Sequence, residues 1–225
     1  MVLTPSVMIP LGTSAPDFDL PDVVSGKRVK LSDFKGKQAM LVMFICRHCP
    51  YVQHVQSELA RLGNEYQKKE VGVVALSSND AENYPDDRPE GLKAMAKELG
   101  FVFPFCYDET QSIAKKYSAA CTPDFFVFGR VPLATARRSG QGNAPSSPGH
   151  LKKESPFTLF YRGQLDDSRP GNNKPITGAD LRGALDAALK GSLLPSSAQR
   201  PSIGCNIKWK SGLEPVYFSA SGGKH

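Results

Sequence analysis

A run of seven apolar residues at positions 39–45 leads directly into a Cys-x-x-Cys motif, and this junction constrains the fold more than any other feature. A continuous apolar run of that length is typical of a β-strand buried on both faces of a sheet. The motif, at positions 46–49, is followed by Pro50 and then by apolar residues at helical spacing. A helix is therefore predicted to begin at the second cysteine, next to the end of a central strand.

The remaining segments alternate between strand and helix patterns. Two short alternating stretches around Ser25 and Gly26 predict an N-terminal β-hairpin, and Thr177 with Asp180 is placed as a capping box for a final helix. Other strands are predicted at residues 71–76, 101–105, 125–128 and 157–161, and helices at residues 50–69, 89–99, 111–117 and 178–190. The order predicts an α/β fold with a mixed central sheet, helices on both faces and the hairpin as an extension.

The composition favours a single globular domain. Of the 225 residues, 40% are hydrophobic and 22% are charged, which is ordinary for a folded soluble protein. The formal net charge is +6, but residues 129–157 hold five basic residues against one acidic residue. Because most of the basic excess lies in that one segment and not on a folded face, nucleic-acid binding is not expected.

Two segments depart from the alternating pattern. Residues 129–151, between the last two predicted strands, are rich in Gly, Ser, Pro, Ala and Arg, so this insertion is expected to be disordered. Residues 195–225 form a mostly polar tail, in which residues 203–210 carry Trp209 and two isoleucines and are expected to dock on the body. Residues 1–194 are therefore assigned to one domain, followed by the tail.

The N-terminal segment and the cysteine count indicate the cellular compartment. The first eleven residues contain no basic residue and are interrupted by Pro5 and Pro10, so neither a secretory signal nor a transit peptide is recognised. The longest apolar run is much shorter than the roughly 20 residues of a membrane span. Five widely spaced cysteines do not resemble a secreted disulfide scaffold. We expect a cytoplasmic protein without membrane association, as a monomer or weak dimer.

Cys46 and Cys49 are predicted to form a redox-active pair, because disulfide exchange needs a thiolate and a second thiol close to it. The positive end of a helix favours a thiolate at Cys46, so Cys46 is predicted to be the exposed attacking thiol and Cys49 the more buried resolving thiol. Arg47 and His48 are predicted to lower the pKa of Cys46 by their positive charge.

A Cys-x-x-Cys motif can also bind a metal, attach haem or serve a structural role. Cys-x-x-Cys is also a zinc-ligand spacing, but Cys106 and Cys121 do not supply a second matching pair, so no metal is expected. Haem attachment requires a histidine where Pro50 stands and is excluded. A purely structural pair of buried cysteines remains an alternative.

Several segments carry a family resemblance. They are residues 15–18, 31–37 and 121–126, together with Cys-x-His-Cys-Pro-Tyr-Val at 46–52, Asp-Asp-Ser-Arg-Pro-Gly at 166–171 and Ile-Gly-Cys-x-Ile-Lys-Trp-Lys at 203–210. The chain resembles the thioredoxin-like redoxins and, more narrowly, the peroxiredoxin-like branch of the AhpC/TSA superfamily. The likeness spans nearly the whole chain outside residues 129–151. It implies a thioredoxin-like three-layer fold and a redox-active cysteine disulfide without further cofactor.

The resemblance also implies that Pro123 is a cis-proline facing the cysteines, with the Thr122 backbone free to pair with an incoming substrate strand. Two departures are evident. Met40 stands where thioredoxins carry a buried carboxylate, and Ala39 and Met43 interrupt the pattern that peroxiredoxins use to bind peroxide. A thiolate stabilised by nearby charge predicts a potential less negative than the about −270 mV of thioredoxin.

The sequence therefore predicts a thiol–disulfide oxidoreductase acting on protein or small thiol substrates, with a reductant that it does not identify. A thiol-dependent peroxidase and a non-catalytic redox-sensing or partner-binding protein are the alternatives. Cys121 and Cys205 are candidate auxiliary thiols, whereas Cys106 is expected in the core. The loop at residues 166–171 is expected near the cis-proline, with no chemistry assigned to it.

Overall fold

The computed structural model describes residues 3–130 and 156–220. The predicted insertion at residues 129–151 lies outside the described residues, except for its first two. The strands are β1 (Leu3–Pro5), β2 (Asp19–Pro21), β3 (Arg28–Lys30), β4 (Ala39–Phe44), β5 (Val71–Ser77), β6 (Phe105–Tyr107), β7 (Cys121–Thr122), β8 (Asp124–Gly129), β9 (Thr158–Gly163) and β10 (Ile203–Asn206). The helices are α1 (Pro50–Gln67), α2 (Pro89–Glu98), α3 (Ser112–Tyr117), α4 (Ala179–Lys190) and α5 (Val216–Ala220).

A five-stranded sheet in the order β6-β5-β4-β8-β9 forms the centre of the fold. Strands β4, β5 and β6 are parallel, whereas β8 runs antiparallel to both β4 and β9, so the predicted mixed sheet is confirmed. All six residues of β4 are buried. Its position in the middle of the sheet explains the continuous apolar run, because a strand covered on both faces has no side chain directed to water.

Alternate residues of β4 enter two separate cores. Leu41 and Met43 pack with apolar residues of α1, α2 and α4 on one face. Met40 and Val42 pack on the other face with residues of α3, the β2–β3 hairpin and the tail. Helices therefore cover both faces of the sheet, and the predicted thioredoxin-like three-layer arrangement is confirmed.

The predicted N-terminal hairpin is present as β2 and β3, with Asp19 opposite Lys30. Asp22 fixes its turn, since the carboxylate accepts hydrogen bonds from the backbone N–H groups of Val24 and Ser25 at 3.2 and 3.0 Å. Such side-chain-to-backbone bonds stabilise short turns. The hairpin supplies apolar side chains to the second core.

A second sheet, in the order β1-β10-β7, was not predicted from the sequence. Cys205 of β10 lies opposite Leu3 of β1 on one side and opposite Thr122 of β7 on the other. Gly204 permits this close pairing, because a Cβ atom there would lie 2.1 Å from the carbonyl oxygen of Thr122. Through this sheet the C-terminal tail contacts the body of the protein beside the two motif cysteines.

Two local predictions are corrected. The proposed capping box of α4 is absent, because the carboxylate of Asp166 accepts hydrogen bonds from the N–H groups of Thr177 and Gly178 at 2.7 Å each, while Asp180 bonds to Gln164 and Arg200. The extended segment expected at 101–105 is a strand only from Phe105 onward.

Within residues 3–130 and 156–220, none of the helices combines the length and apolar character that crossing a bilayer requires.

Candidate active site

The end of β4 and the start of α1 position the motif cysteines. Cys49 caps α1, and its carbonyl oxygen accepts hydrogen bonds from the N–H groups of Val52 and Gln53 at 3.0 and 2.9 Å. The Cys49 thiol donates to the Thr122 carbonyl oxygen at 3.2 Å, and the Cys46 sulfur lies 3.4 Å from the Thr122 hydroxyl. The Thr122–Pro123 peptide bond is cis, as the resemblance implied. Both cysteines thus face the segment that contains Pro123.

The predicted exposure of Cys46 is wrong in this arrangement. Cys46 and Cys49 are both 0% exposed. The Thr122 backbone is also not free for an incoming peptide, because it pairs with Cys205 of β10. The chain's own C-terminal strand takes the position that was predicted for a substrate strand, and the predicted substrate groove at Thr122 and Pro123 is closed by it.

A third sulfur belongs to the site. Cys205 lies opposite Thr122 in β10 and packs in the same buried core as Cys46 and Cys49. All five cysteines are free thiols. The other candidate auxiliary thiol, Cys121, is equally buried, but it donates weakly to the carbonyl oxygen of Pro123 at 3.7 Å. Cys106 packs in the second core, as predicted.

The sulfurs of the pair differ in their proton affinity. Hydrogen bonds from Cys205 and then from Cys46 lower the pKa of Cys49, against the opposing effect of burial. Burial raises the pKa of Cys46 well above its usual value, and the hydrogen bond to Cys49 and the negative charge of Asp87 raise it further. The predicted lowering of the Cys46 pKa is therefore wrong here, and it is the pKa of Cys49 that is lowered.

Asp87 organises the two residues between the cysteines. Its carboxylate accepts hydrogen bonds from the backbone N–H groups of Arg47 and His48 at 2.7 and 3.2 Å, and from Asn79 at 2.7 Å. His48 Nδ1 lies 2.5 Å from the same carboxylate. Burial acts to raise the pKa of Asp87, but the bonds from His48 and Asn79 outweigh it and lower that pKa. The His48 ring, expected to act on Cys46, is thus hydrogen-bonded to a buried carboxylate.

The Arg47 side chain engages a different element. Its guanidinium donates to the carbonyl oxygen of Gly91 at 2.8 Å and lies 3.4 Å from Glu98, so it binds α2. Sequence reasoning missed Asp87 because the contact joins residues about forty positions apart. The available signal was an acidic residue in a polar loop after a buried strand, which does not by itself indicate a site.

One group of side chains offers ligand atoms for a metal ion. The ligand atoms of Cys46, His48 and Asp87 all lie within 4.8 Å of one another. Structural zinc sites use four ligands, with thiolate and imidazole preferred, so this set is partial. Zinc binding therefore stays a measurable alternative to redox chemistry at Cys46.

Asp124 is a buried carboxyl group that sequence reasoning did not single out. It follows Pro123 directly, lies opposite Phe44 of β4, and is 0% exposed. Burial raises its pKa to about 7, although a hydrogen bond from the Ser6 hydroxyl at 2.7 Å favours the charged form. The chain therefore carries a titratable buried carboxyl on the strand next to β4, although Met40 replaces the one known from thioredoxins.

Asp124 should make the folding stability depend on pH. The pKa of an aspartate in an unfolded chain is about 3.9, so between roughly pH 4 and pH 7 the folded state binds the extra proton and its stability falls as the pH rises. A rise of about 3 in pKa corresponds to roughly 4 kcal/mol. Asp124→Asn should therefore be more stable than wild type at pH 8 by up to that amount, with a smaller difference at pH 5. Urea denaturation at both values measures this, and a pH-independent difference would contradict it.

The predicted rim loop lies beside the cis-proline. Ser168, Arg169 and Pro170 line a small cavity of about 20 Å³ together with Pro123 and Tyr51. The position expected for this loop is thus observed. Its first residue, the Asp166 described above, accepts hydrogen bonds from the two residues just before α4, which gives the motif a structural role.

The fold is that of a thioredoxin-like protein. Residues 11–132 match the AhpC/TSA family, and the chain belongs to that family. A crystal structure of a conserved protein from Geobacillus kaustophilus superposes with a TM-score of 0.80 at 48% identity, covering 94% of this chain and 98% of that protein.

Two curated relatives are more distant. The thiol-disulfide oxidoreductase ResA of Bacillus thuringiensis is 26% identical over 148 residues, which cover 65% of this chain and 79% of ResA. The chloroplastic peroxiredoxin Q of Triticum aestivum is 27% identical over 121 residues, which cover 54% of this chain and 50% of that protein.

Proposed function

We propose that this protein is a thiol–disulfide oxidoreductase whose redox-active pair is Cys46 and Cys49. The observation that carries the proposal is that both sulfurs lie at the start of α1 and face Thr122, with Cys46 Sγ 3.4 Å from its hydroxyl and Cys49 Sγ 3.2 Å from its carbonyl oxygen. The similarity to a relative named as a thiol-disulfide oxidoreductase supports it. The substrates are disulfides of proteins or small thiols, and a separate thiol donor returns the pair to the reduced state.

The reaction follows ordinary thiol–disulfide exchange. Cys46 attacks a substrate disulfide, a mixed disulfide forms on Cys46, and one substrate sulfur leaves as a thiolate. Cys49 then attacks the Cys46 sulfur, which forms the intramolecular disulfide and releases the second substrate thiolate. The two electrons that reduce the substrate come from the cysteine pair. A lowered pKa suits Cys49 to the resolving step, because the thiolate is the nucleophile.

Access to Cys46 requires the site to open. In the closed arrangement burial is the largest cause of its raised pKa, so the thiol is a poor nucleophile there. Movement of β10 away from β7 would uncover the sulfur and return its pKa toward the usual value. The same movement that opens the site would therefore also make Cys46 a better nucleophile.

Membership of the AhpC/TSA family and the likeness to peroxiredoxin Q favour a thiol-dependent peroxidase as the second candidate. Against it, Ala39 and Met43 replace the residues with which peroxiredoxins bind peroxide. We therefore propose peroxide as at most a slow substrate.

Parallel assays distinguish the functions. With dithiothreitol as the donor, insulin reduction and hydrogen peroxide consumption are measured on the same preparation. We expect catalysis of insulin reduction and much weaker peroxide consumption. Faster turnover of peroxide would favour the peroxidase, and no turnover of either substrate would favour a redox sensor.

A further inference from the structure

Strand β10 brings a cysteine to the position that a substrate strand would occupy. Cys205 lies opposite Thr122 in the antiparallel register, and the carbonyl oxygen of the same Thr122 lies 3.2 Å from the Cys49 sulfur. The residue is 1% exposed. The closed site therefore gathers three thiols around Thr122, because Cys46 and Cys49 contact that residue, Cys205 pairs with it, and all three belong to one buried core.

Bonds on both sides of Cys205 hold its segment in place. Before it, the Ser202 N–H group donates to the Ser6 hydroxyl at 2.9 Å. After it, the Ile207 N–H group donates to the Ala120 carbonyl oxygen at 3.0 Å, and the Lys208 N–H group donates to Asn79 at 2.8 Å. A thiol anchored from both directions meets Cys49 in a fixed geometry, which is what an exchange between neighbouring sulfurs requires.

We propose that Cys205 is a third redox-active thiol, which exchanges with the disulfide of the pair by attacking Cys49. The inference rests on the proposed function, because that reaction supplies the Cys46–Cys49 disulfide. The oxidised protein then exists as two isomers, one with Cys46 joined to Cys49 and one with Cys49 joined to Cys205.

The exchange consumes no external oxidant. The Cys205 sulfur forms a bond to Cys49, and the bond between Cys49 and Cys46 breaks. Cys46 leaves as a thiolate and takes up the proton that Cys205 gives up. The number of disulfides is unchanged, while the sulfur that meets substrate is returned to the thiol form.

The exchange has a consequence for the tail. A Cys49–Cys205 disulfide ties β10 covalently to the N-terminus of α1, whereas the Cys46–Cys49 disulfide leaves β10 held by hydrogen bonds alone. The isomer with Cys205 thus stores the oxidised state with the site closed. Cys121, which is equally buried on the neighbouring strand but donates to a carbonyl oxygen, provides a matched control.

The test is disulfide mapping of the full-length protein after oxidation with diamide, followed by alkylation, digestion and mass spectrometry. Wild type and Cys121→Ser should both yield two disulfide-linked peptide pairs. One joins Cys46 to Cys49, and the other joins Cys49 to Cys205. Cys46→Ser, and Cys46→Ala as a second variant, should convert nearly completely to the pair 49 with 205. Cys205→Ser should contain the pair 46 with 49 alone.

The outcomes separate the two proposals. If both Cys46 variants remain folded by circular dichroism and keep Cys49 and Cys205 as thiols, while Cys205→Ser forms its disulfide, the inference about Cys205 is overturned and the proposed function stands. If Cys205→Ser forms no disulfide between Cys46 and Cys49, the proposed function fails instead.

Discussion

Cys46→Ser should reduce the rate of dithiothreitol-dependent insulin reduction to the uncatalysed level, a loss on the order of 10³-fold or more. A hydroxyl group at position 46 cannot form the mixed disulfide with substrate, because exchange requires a sulfur nucleophile. The measurement is the initial rate with equal amounts of folded wild type and variant.

Cys49→Ser should block the same reaction at the next step. The mixed disulfide on Cys46 would then lack its internal nucleophile, so the variant should accumulate covalently bound substrate in near-stoichiometric amounts. Cys106→Ala, in the opposite core, is the control and should keep wild-type activity. Full activity in both Cys46→Ser and Cys49→Ser would contradict the mechanism.

Gly204→Ala should open the site. A Cβ atom at this position would lie 2.1 Å from the Thr122 carbonyl oxygen and 2.8 Å from its carbon, so β10 must shift away from β7. Exposure removes the main cause of the raised Cys46 pKa. We expect Cys46 to react with a maleimide at least about tenfold faster than in wild type, which corresponds to about 1.4 kcal/mol.

Gly183→Ala is the matched control for that experiment. No atom lies within 4 Å of a Cβ built at Gly183, which is in α4. This substitution should leave maleimide reactivity unchanged and raise helix stability by up to about 1 kcal/mol. If Gly204→Ala remains folded and reacts no faster than Gly183→Ala, β10 is not the element that covers Cys46.

Much of the fold could be predicted because its determinants are local. The apolar run of β4, the turn at Ser25 and Gly26, and the proline at the start of α1 each encode one element through neighbouring residues. The second sheet could not be predicted in the same way. Strand β1 has three residues and β10 has four, and their pairing joins opposite ends of the chain, so no local pattern reports it.

The position of the cysteine pair was also predictable, but its electrostatics were not. Arg47 and His48 are neighbours of Cys46 in sequence, and the prediction counted their charges directly. In the folded chain Asp87 binds both of their N–H groups and the His48 ring, and Cys46 is fully buried. These long-range contacts reverse the expected direction of the Cys46 pKa. The redox potential stays a prediction, and the argument behind it assumed a lowered pKa at Cys46, where burial raises it.

Redox titration of Cys46 and Cys49 tests the central claim most directly. Wild type and Cys205→Ser are equilibrated in thiol–disulfide buffers from about −320 to about −120 mV, and alkylated cysteines are mapped by mass spectrometry. In Cys205→Ser, Cys46 and Cys49 should lose reactivity together in one two-electron transition, at a potential less negative than about −270 mV. The account would be contradicted if both thiols stayed reduced across the whole range. It would also be contradicted if the thiols were protected from alkylation only by bound zinc, so that a chelator restored their reactivity.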